Sequence, residues 1–210
     1  MAETLPKCTS LSHCNLRHNC IRADGMRSLA AALGHCKHLV CLQLASNPLG
    51  QEGATMLCAV LSKWTRLSHL SLGDCSLGRT GVESLVASLP GLPCLSQLDL
   101  RHNSIGNGAG GALCAMVSEC ERLHWLDLNG NRLGDIGASA LADGLSVSTS
   151  LMRLNLQYNR IGCDGVTRLE EALKRREQFC RLDVDWNGLS CTWVQRVKDE
   201  RVDYEWWCHA

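Results

Sequence analysis

Residues 123–144 read LHWLDLNGNRLGDIGASALADG, and this arrangement of apolar residues, asparagine and glycine recurs along the chain. The copy 28 residues earlier has Leu95, Leu98, Leu100, Asn103, Ile105 and Leu113 at the matching positions. The copy 28 residues later has Leu151, Leu154, Leu156, Asn159, Ile161, Gly165 and Leu169. Repeated units that bury only one face must stack on their neighbours, so the pattern predicts one continuous solenoid.

Each unit combines two periodicities. Its first part alternates, as in Leu98, Asp99 and Leu100, which indicates a strand. Its second part has apolar residues at helical spacing, for example Val82, Leu85, Val86 and Leu89. The asparagine between the two parts can bond loop backbone groups that the strand leaves unpaired, and the glycine permits close backbone approach. Each unit is therefore predicted to fold as strand, turn and helix.

The repeat boundaries predict a single domain over residues 1–210. A partial repeat occupies residues 1–10, six full repeats occupy residues 11–178, and a degenerate seventh occupies residues 179–189. Residues 190–210 carry three tryptophans and a tyrosine among charged residues. Because the last unit of a solenoid has no neighbour to cover it, this segment is predicted to be a C-terminal cap.

The pattern LxxLxLxxNxLxxxGxxxL over 28 residues resembles the leucine-rich repeat proteins. The repeat length and the helical second half are similar to those of the ribonuclease-inhibitor-like subfamily. That group includes Ran GTPase-activating proteins, the repeat domains of NOD-like receptors and several axonemal proteins. The resemblance implies an α/β horseshoe of about seven repeats, with a concave parallel sheet and convex helices.

The charge balance and the apolar content of the chain exclude some classes of binding partner. Lysine and arginine balance aspartate and glutamate at 21 each, and no long basic run occurs, so neither nucleic acid nor a membrane is expected as a direct partner. The N-terminus lacks an apolar signal segment, and no apolar run is long enough to span a bilayer. We expect a cytoplasmic protein, with the cytoskeleton or a flagellum among the candidate locations.

The 14 cysteines follow the repeat rather than a disulfide spacing. Cys58 and Cys114 share one repeat position, Cys14 replaces a core leucine, and Cys75 replaces the motif asparagine. Free cysteine behaves as a small buried hydrophobe, so most of these residues are predicted to be reduced core residues.

Three motifs suggest chemistry but are better explained by the repeat. Residues 106–111 (GNGAGG) superficially resemble a dinucleotide-binding loop, yet the same slot holds two glycines in other units, so no cofactor is predicted. His13, Cys41 and His69 share one strand position, but the outer two would lie about 10 Å apart, too far for one tetrahedral ion. Asp99, Asp127 and Asp183 share one repeat position and form an acidic row that could hold a cation or a basic partner, but we predict that it is simply the solvated face of the sheet. No catalytic constellation has a recognisable signature.

The concave face is predicted to carry the function. Its early units offer small or weakly polar residues, whereas its later units offer the aromatic and arginine side chains typical of protein-binding hot spots. The predicted protein-binding residues are Trp125, Arg153, Tyr158, Arg181, Asp185 and Trp186. The alternative is that the tryptophans and arginines only cover an exposed sheet. The first unit, with Leu11, Leu16 and Ile21 at its edge, is a second candidate partner surface.

These observations predict a non-enzymatic protein-interaction scaffold, a subunit of a larger intracellular assembly of cytoskeletal or axonemal type. The alternative is a regulator of an enzyme, such as a Ran-type GTPase activator or a ribonuclease inhibitor.

Overall fold

The computed structural model describes residues 10–178 and 180–188, which form short strands and helices in strict alternation. The strands are β1 (His13–Asn15), β2 (Cys41–Gln43), β3 (His69–Ser71), β4 (Gln97–Asp99), β5 (Trp125–Asp127), β6 (Arg153–Asn155) and β7 (Arg181–Asp183). The helices are α1 (Ala23–Leu33), α2 (Gly50–Leu61), α3 (Gly78–Val86), α4 (Gly110–Glu119), α5 (Gly134–Val147) and α6 (Cys163–Lys174). The predicted cap at residues 190–210 and residues 1–9 of the predicted partial repeat lie outside the described residues.

The seven strands form one parallel sheet in sequence order, β1 to β7. The register places His13 beside Cys41 and Cys41 beside His69, so equivalent repeat positions lie next to one another. Neighbouring helices pack against each other on the other side of the sheet. This is the α/β solenoid that the sequence predicts, with the sheet on its concave side.

The core lies between the sheet and the helices. The central residue of each strand points into it, and Leu42, Leu98 and Leu126 are fully buried. Each helix supplies its apolar face, as Leu57 does from α2 and Leu141 from α5. Burying one such leucine contributes about 1.5–3 kcal/mol, so the stacking of units provides most of the stability.

The motif asparagines form a buried hydrogen-bonded ladder between units. Asn131 Nδ2 donates to the carbonyl oxygens of Leu128 in its own unit and Leu100 in the preceding one, both at 2.9 Å. Its Oδ1 accepts the backbone N–H of Asn103 at 2.8 Å. Each asparagine thus satisfies backbone groups that the short strands leave unpaired, and it ties its unit to the one before.

Cys75 stands in this ladder in place of asparagine. Its Sγ donates to the Leu44 carbonyl oxygen at 3.3 Å, and burial raises the pKa of the thiol to about 11. The prediction that most cysteines are core residues is only partly correct. Of the eleven cysteines in the described part of the chain, Cys20 is exposed, five are half-buried, and five are buried, namely Cys14, Cys36, Cys75, Cys120 and Cys180.

Two units depart from the predicted strand–turn–helix pattern. Leu89 was assigned to the helix of its unit, but α3 ends at Val86 and Leu89 begins a 3-10 turn that spans Leu89–Gly91. Pro90 explains the difference, because proline lacks an N–H and disfavours helical backbone before it. In the next unit, Ala109 fills the glycine slot, and a 3-10 turn delays the helix until Gly110. Gly110 then allows α4 to approach α5 closely, since a Cβ at this position would lie 2.8 Å from Ala140 Cβ.

Candidate functional site

The structure brings three of the predicted site residues into one row. Trp125, Arg153 and Arg181 occupy the first position of β5, β6 and β7 and pair in register. Adjacent strands lie about 4.8 Å apart, so the three side chains are direct neighbours on the concave face. Trp125 and Arg181 are half-buried, and Arg153 is exposed.

Asp183 holds the two arginines of this row in place. Its Oδ1 accepts a hydrogen bond from Arg181 Nε at 2.9 Å, and its Oδ2 lies 3.5 Å from Arg153 Nε. Within the described residues, these contacts engage only the Nε atoms, so the terminal nitrogens of both guanidinium groups can meet a partner. The sequence pointed to the arginines but not to Asp183 as the residue that orients them. The available signal was an arginine two positions before an aspartate in the same strand.

Tyr158 and Trp186 form a stacked aromatic pair immediately beyond β6 and β7. Their ring centroids lie 5.6 Å apart and the ring planes differ by 2°. Tyr158 is 50% exposed and Trp186 is 61% exposed, so the pair presents a flat apolar surface to solvent.

Both aromatic residues adopt left-handed backbone conformations. Their φ angles are 56° and 59°, and the same repeat position is left-handed in every earlier unit, with φ between 53° and 68° at His18, Ser46, Asp74, His102 and Gly130. A side chain in this conformation costs roughly 1–2 kcal/mol, which glycine avoids. The left-handed turn is therefore a property of the repeat, and the feature particular to these two units is the exposed, stacked aromatic pair.

Asp185 belongs to a different polar row from the arginines. Its Oδ2 accepts a hydrogen bond from Gln157 Nε2 at 3.2 Å, and Gln157 Oε1 is 3.5 Å from Asn129 Nδ2. The structure therefore places Asp185 near the aromatic pair but assigns the pairing of the arginines to Asp183.

The predicted solvation of the acidic row is wrong for two of its three members. Asp99 is 3% exposed and Asp127 is 5% exposed, because longer side chains cover them on the concave face. Asp99 accepts a hydrogen bond from Ser71 Oγ at 2.9 Å. Burial raises the pKa of the Asp127 carboxyl, and the neighbouring Asp99 raises it further, while the Asn129 N–H that donates to it at 2.9 Å lowers it.

The remaining motifs do not assemble into a reactive centre. His13, Cys41 and His69 pair in register as predicted. Within residues 10–178 and 180–188, no three histidine, cysteine or acidic side chains are arranged to hold a metal ion. Among the helices of this same part of the chain, none has the length and apolar character needed to cross a membrane.

Comparison with known proteins agrees with the repeat architecture. The family described as "Leucine Rich repeat" matches residues 7–30, 35–58, 91–114, 123–142 and 147–169, together more than half of the chain. No curated protein matches the sequence significantly. Among solved structures, "Leiomodin-1 Actin-Binding Site 2 (ABS2)" is similar with a TM-score of 0.52 and 14% identity, covering 95% of this chain and 94% of that one. At this identity the similarity concerns the fold alone. The chain belongs to the leucine-rich repeat family.

Proposed function

We propose that the protein is a non-enzymatic scaffold that binds a protein partner through Trp125, Arg153, Tyr158, Arg181, Asp185 and Trp186. Leucine-rich repeat domains typically mediate protein–protein interaction, and the proposal places that role at the C-terminal half of the sheet. The observation that carries it is the exposed, stacked pair of Tyr158 and Trp186.

The neighbouring arginines support the same site. Aromatic and arginine side chains dominate the binding energy of protein interfaces, particularly when they are already oriented. Asp183 orients Arg181 through a hydrogen bond at 2.9 Å and lies 3.5 Å from Arg153 Nε, which reduces the rotamer entropy that these side chains lose on binding. The simpler alternative, that these side chains only cover the sheet, accounts for the arginine row but not for aromatic residues that are half-exposed or more.

We place the protein in a larger intracellular assembly and in the ribonuclease-inhibitor-like subfamily with 28-residue repeats. The similar solved structure is named as an actin-binding site of leiomodin-1, so actin is the first partner to test.

The alternative role as an enzyme regulator receives less support. A ribonuclease inhibitor needs an acidic surface to match a basic nuclease. Here Asp99 and Asp127 are buried, and Asp183 is paired with two arginines. A Ran-type GTPase activator would instead raise the hydrolysis rate of a purified Ran-like GTPase, which a single-turnover assay measures directly.

The aromatic pair gives a test that separates binding from folding. Glycine at positions 158 and 186 removes the stacked rings, a loss of about 0.5–1.5 kcal/mol, and its greater freedom in the unfolded chain costs about 0.5–1 kcal/mol per residue. It also relieves the left-handed strain of about 1–2 kcal/mol per residue, so the opposing effects largely cancel. The doubly substituted protein, Tyr158→Gly with Trp186→Gly, should therefore stay folded with nearly unchanged stability. Its binding to purified actin, and its recovery of partners from the native source, should fall about tenfold or more.

Ile136→Ser is the matched control. Ile136 lies on α5, outside the proposed site, and is 67% exposed. Its substitution by serine therefore removes an exposed apolar side chain, as the aromatic double variant does. A partner recovered equally by the wild type and the aromatic double variant would refute the proposed site. The site would also be refuted if Ile136→Ser reduced recovery of a partner as strongly as the aromatic double variant does.

A further inference from the structure

We propose that the centre of the concave face contains a pocket for the carboxylate of an aspartate or glutamate side chain of the partner, bound between Arg17 and Arg101. This inference rests on the proposed function in that the carboxylate belongs to a bound protein. The pocket has a volume of about 190 Å³, which suits one side chain. Its lining includes Arg17, His69, Ser71, Gln97, Arg101 and Trp125.

The two arginines converge over a pair of small residues. The seventh positions of the first four units are Arg17, Ala45, Gly73 and Arg101. The two arginine backbones lie three strand spacings apart, about 14 Å. Arg17 Nη2 nevertheless reaches Ser71 Oγ at 3.4 Å, a residue on the third strand.

Gly73 makes room for the second arginine. A Cβ at this position would lie 2.8 Å from Arg101 Cγ and 3.0 Å from Arg101 Nε, so the Arg101 side chain lies across the glycine. Both guanidinium groups therefore point inward from opposite sides of the same cavity. An alanine or larger side chain at position 73 would displace Arg101.

Hydrogen-bond donors outnumber acceptors in this pocket. Each guanidinium carries five N–H donors and no acceptor. Arg101 Nε lies 3.7 Å from Asp99 Oδ1, and Asp99 Oδ2 is already occupied by Ser71 Oγ. Arg17 Nε is buried, and no hydrogen-bond acceptor for it occurs among the described residues. The carboxylate of Asp99, which also lines the pocket, is already engaged, because Oδ1 accepts the Arg101 backbone N–H at 3.2 Å and Oδ2 accepts from Ser71 Oγ. A second carboxylate would supply two further acceptor oxygens in the geometry that guanidinium groups prefer.

The charge balance selects a carboxylate rather than a phosphate. Two arginines and Asp99 leave one net positive charge, which a monoanion neutralises. Asp127 pairs with Asp99 in register and adds further negative potential on one side. A dianionic phosphate would leave uncompensated negative charge beside these carboxylates, at a cost that grows with burial.

The pocket can be tested without knowing the partner. The probes are a blocked tripeptide with one central glutamate, its glutamine analogue and its phosphoserine analogue. The readout is the chemical shift of the arginine Nε–Hε signals in ¹⁵N-labelled protein. We expect the glutamate peptide to shift the Arg17 and Arg101 signals saturably, and the glutamine peptide to bind about tenfold more weakly, since the charge-assisted bonds are lost.

Two variants and one control complete the test. Arg101→Gln and Gly73→Val should each weaken binding of the glutamate peptide by about tenfold, the second by displacing an arginine that is still present. Arg27→Gln, an exposed arginine on α1, should leave binding unchanged.

The proposal is overturned if glutamate and glutamine peptides bind equally, if the phosphoserine peptide binds more tightly, or if a folded Arg101→Gln protein retains full affinity. These outcomes leave the aromatic site untouched. Conversely, loss of partner binding through Tyr158 and Trp186 leaves the peptide titration intact, so failure of one proposal is distinguishable from failure of the other.

Discussion

Removal of one ladder asparagine should destabilise the solenoid far more than removal of a neighbouring surface amide. In Asn131→Ala, the Asn103 N–H loses its acceptor at 2.8 Å. The Leu100 and Leu128 carbonyl oxygens each lose one donor at 2.9 Å but keep another, Asn103 Nδ2 at 3.0 Å and Asn159 Nδ2 at 2.8 Å respectively. Asn131 is fully buried, so water cannot replace the amide without opening the turn. A buried backbone donor left unpaired costs about 1–3 kcal/mol, and each of the two lost bonds to carbonyl oxygens adds about 0.5–1.5 kcal/mol, so the total should be roughly 2–6 kcal/mol.

Cys75 shows how a smaller polar side chain fits the same position. Its thiol donates to a single neighbouring carbonyl at 3.3 Å, with a second contact at 3.5 Å to the Gly73 oxygen. Asn131→Cys should therefore cost about half as much as Asn131→Ala, since a weak donor remains. Asn129→Ala is the surface control. The Asn129 amide makes one contact at 3.5 Å, and its loss should cost less than about 0.5 kcal/mol.

Urea unfolding followed by circular dichroism measures all three variants. Because repeat arrays can lose cooperativity, the slope of the transition must match that of the wild type before the free energies are compared. If Asn131→Ala costs no more than Asn129→Ala, the ladder contributes little, and the units are held together by apolar stacking alone.

Three further predictions test other features of the structure. Asp127→Asn should raise the free energy of unfolding near neutral pH, because burial raises the pKa of this carboxyl and the folded protein loses stability as pH rises through that raised value. The gain should disappear in acid, where the carboxyl is protonated in both the folded and the unfolded protein. A loss of stability at neutral pH would contradict the reasoning. Gly144→Ala should cost roughly 1–3 kcal/mol in urea unfolding, because its Cβ would lie 2.6 Å from the Cys114 carbonyl oxygen, and an unchanged midpoint would show that the two helices can separate freely. In alkylation with iodoacetamide followed by mass spectrometry, Cys20 should react first among the eleven cysteines of residues 10–178 and 180–188, because it is exposed. Cys180 should react only after unfolding, since burial raises its pKa to about 11, and equal rates for the two cysteines would contradict its burial.

Features that depend on the repeat period are readable from the sequence. The burial of Leu98 and Leu126 follows from strand alternation, and the proximity of Trp125, Arg153 and Arg181 follows from their shared repeat position. A parallel solenoid allows only one register for such positions, so a spacing in sequence becomes a neighbour in space.

Features that depend on long side chains crossing between units are not readable in this way. Asp99 is buried because the Arg101 side chain lies across Gly73 and closes over the strand, which strand alternation alone does not indicate. The same crossing creates the pocket with Arg17. The relevant signal is the order of side-chain sizes along one repeat position, with two small residues between two arginines, rather than any contiguous motif.

The presence of Cys75 in place of asparagine makes one junction between units different from the others. Units in such an array are held only by their neighbours, so the weakest junction decides which segment opens as a cooperative block. The junction between the second and third units lacks the amide bridge that asparagine forms at the other junctions of the described chain, and a thiol contact to the Leu44 carbonyl oxygen takes its place. Arg17 lies on one side of it and Arg101 on the other. A carboxylate bound by both side chains would link the units on the two sides of this junction. Binding at the concave face would therefore slow the local unfolding of the first two units.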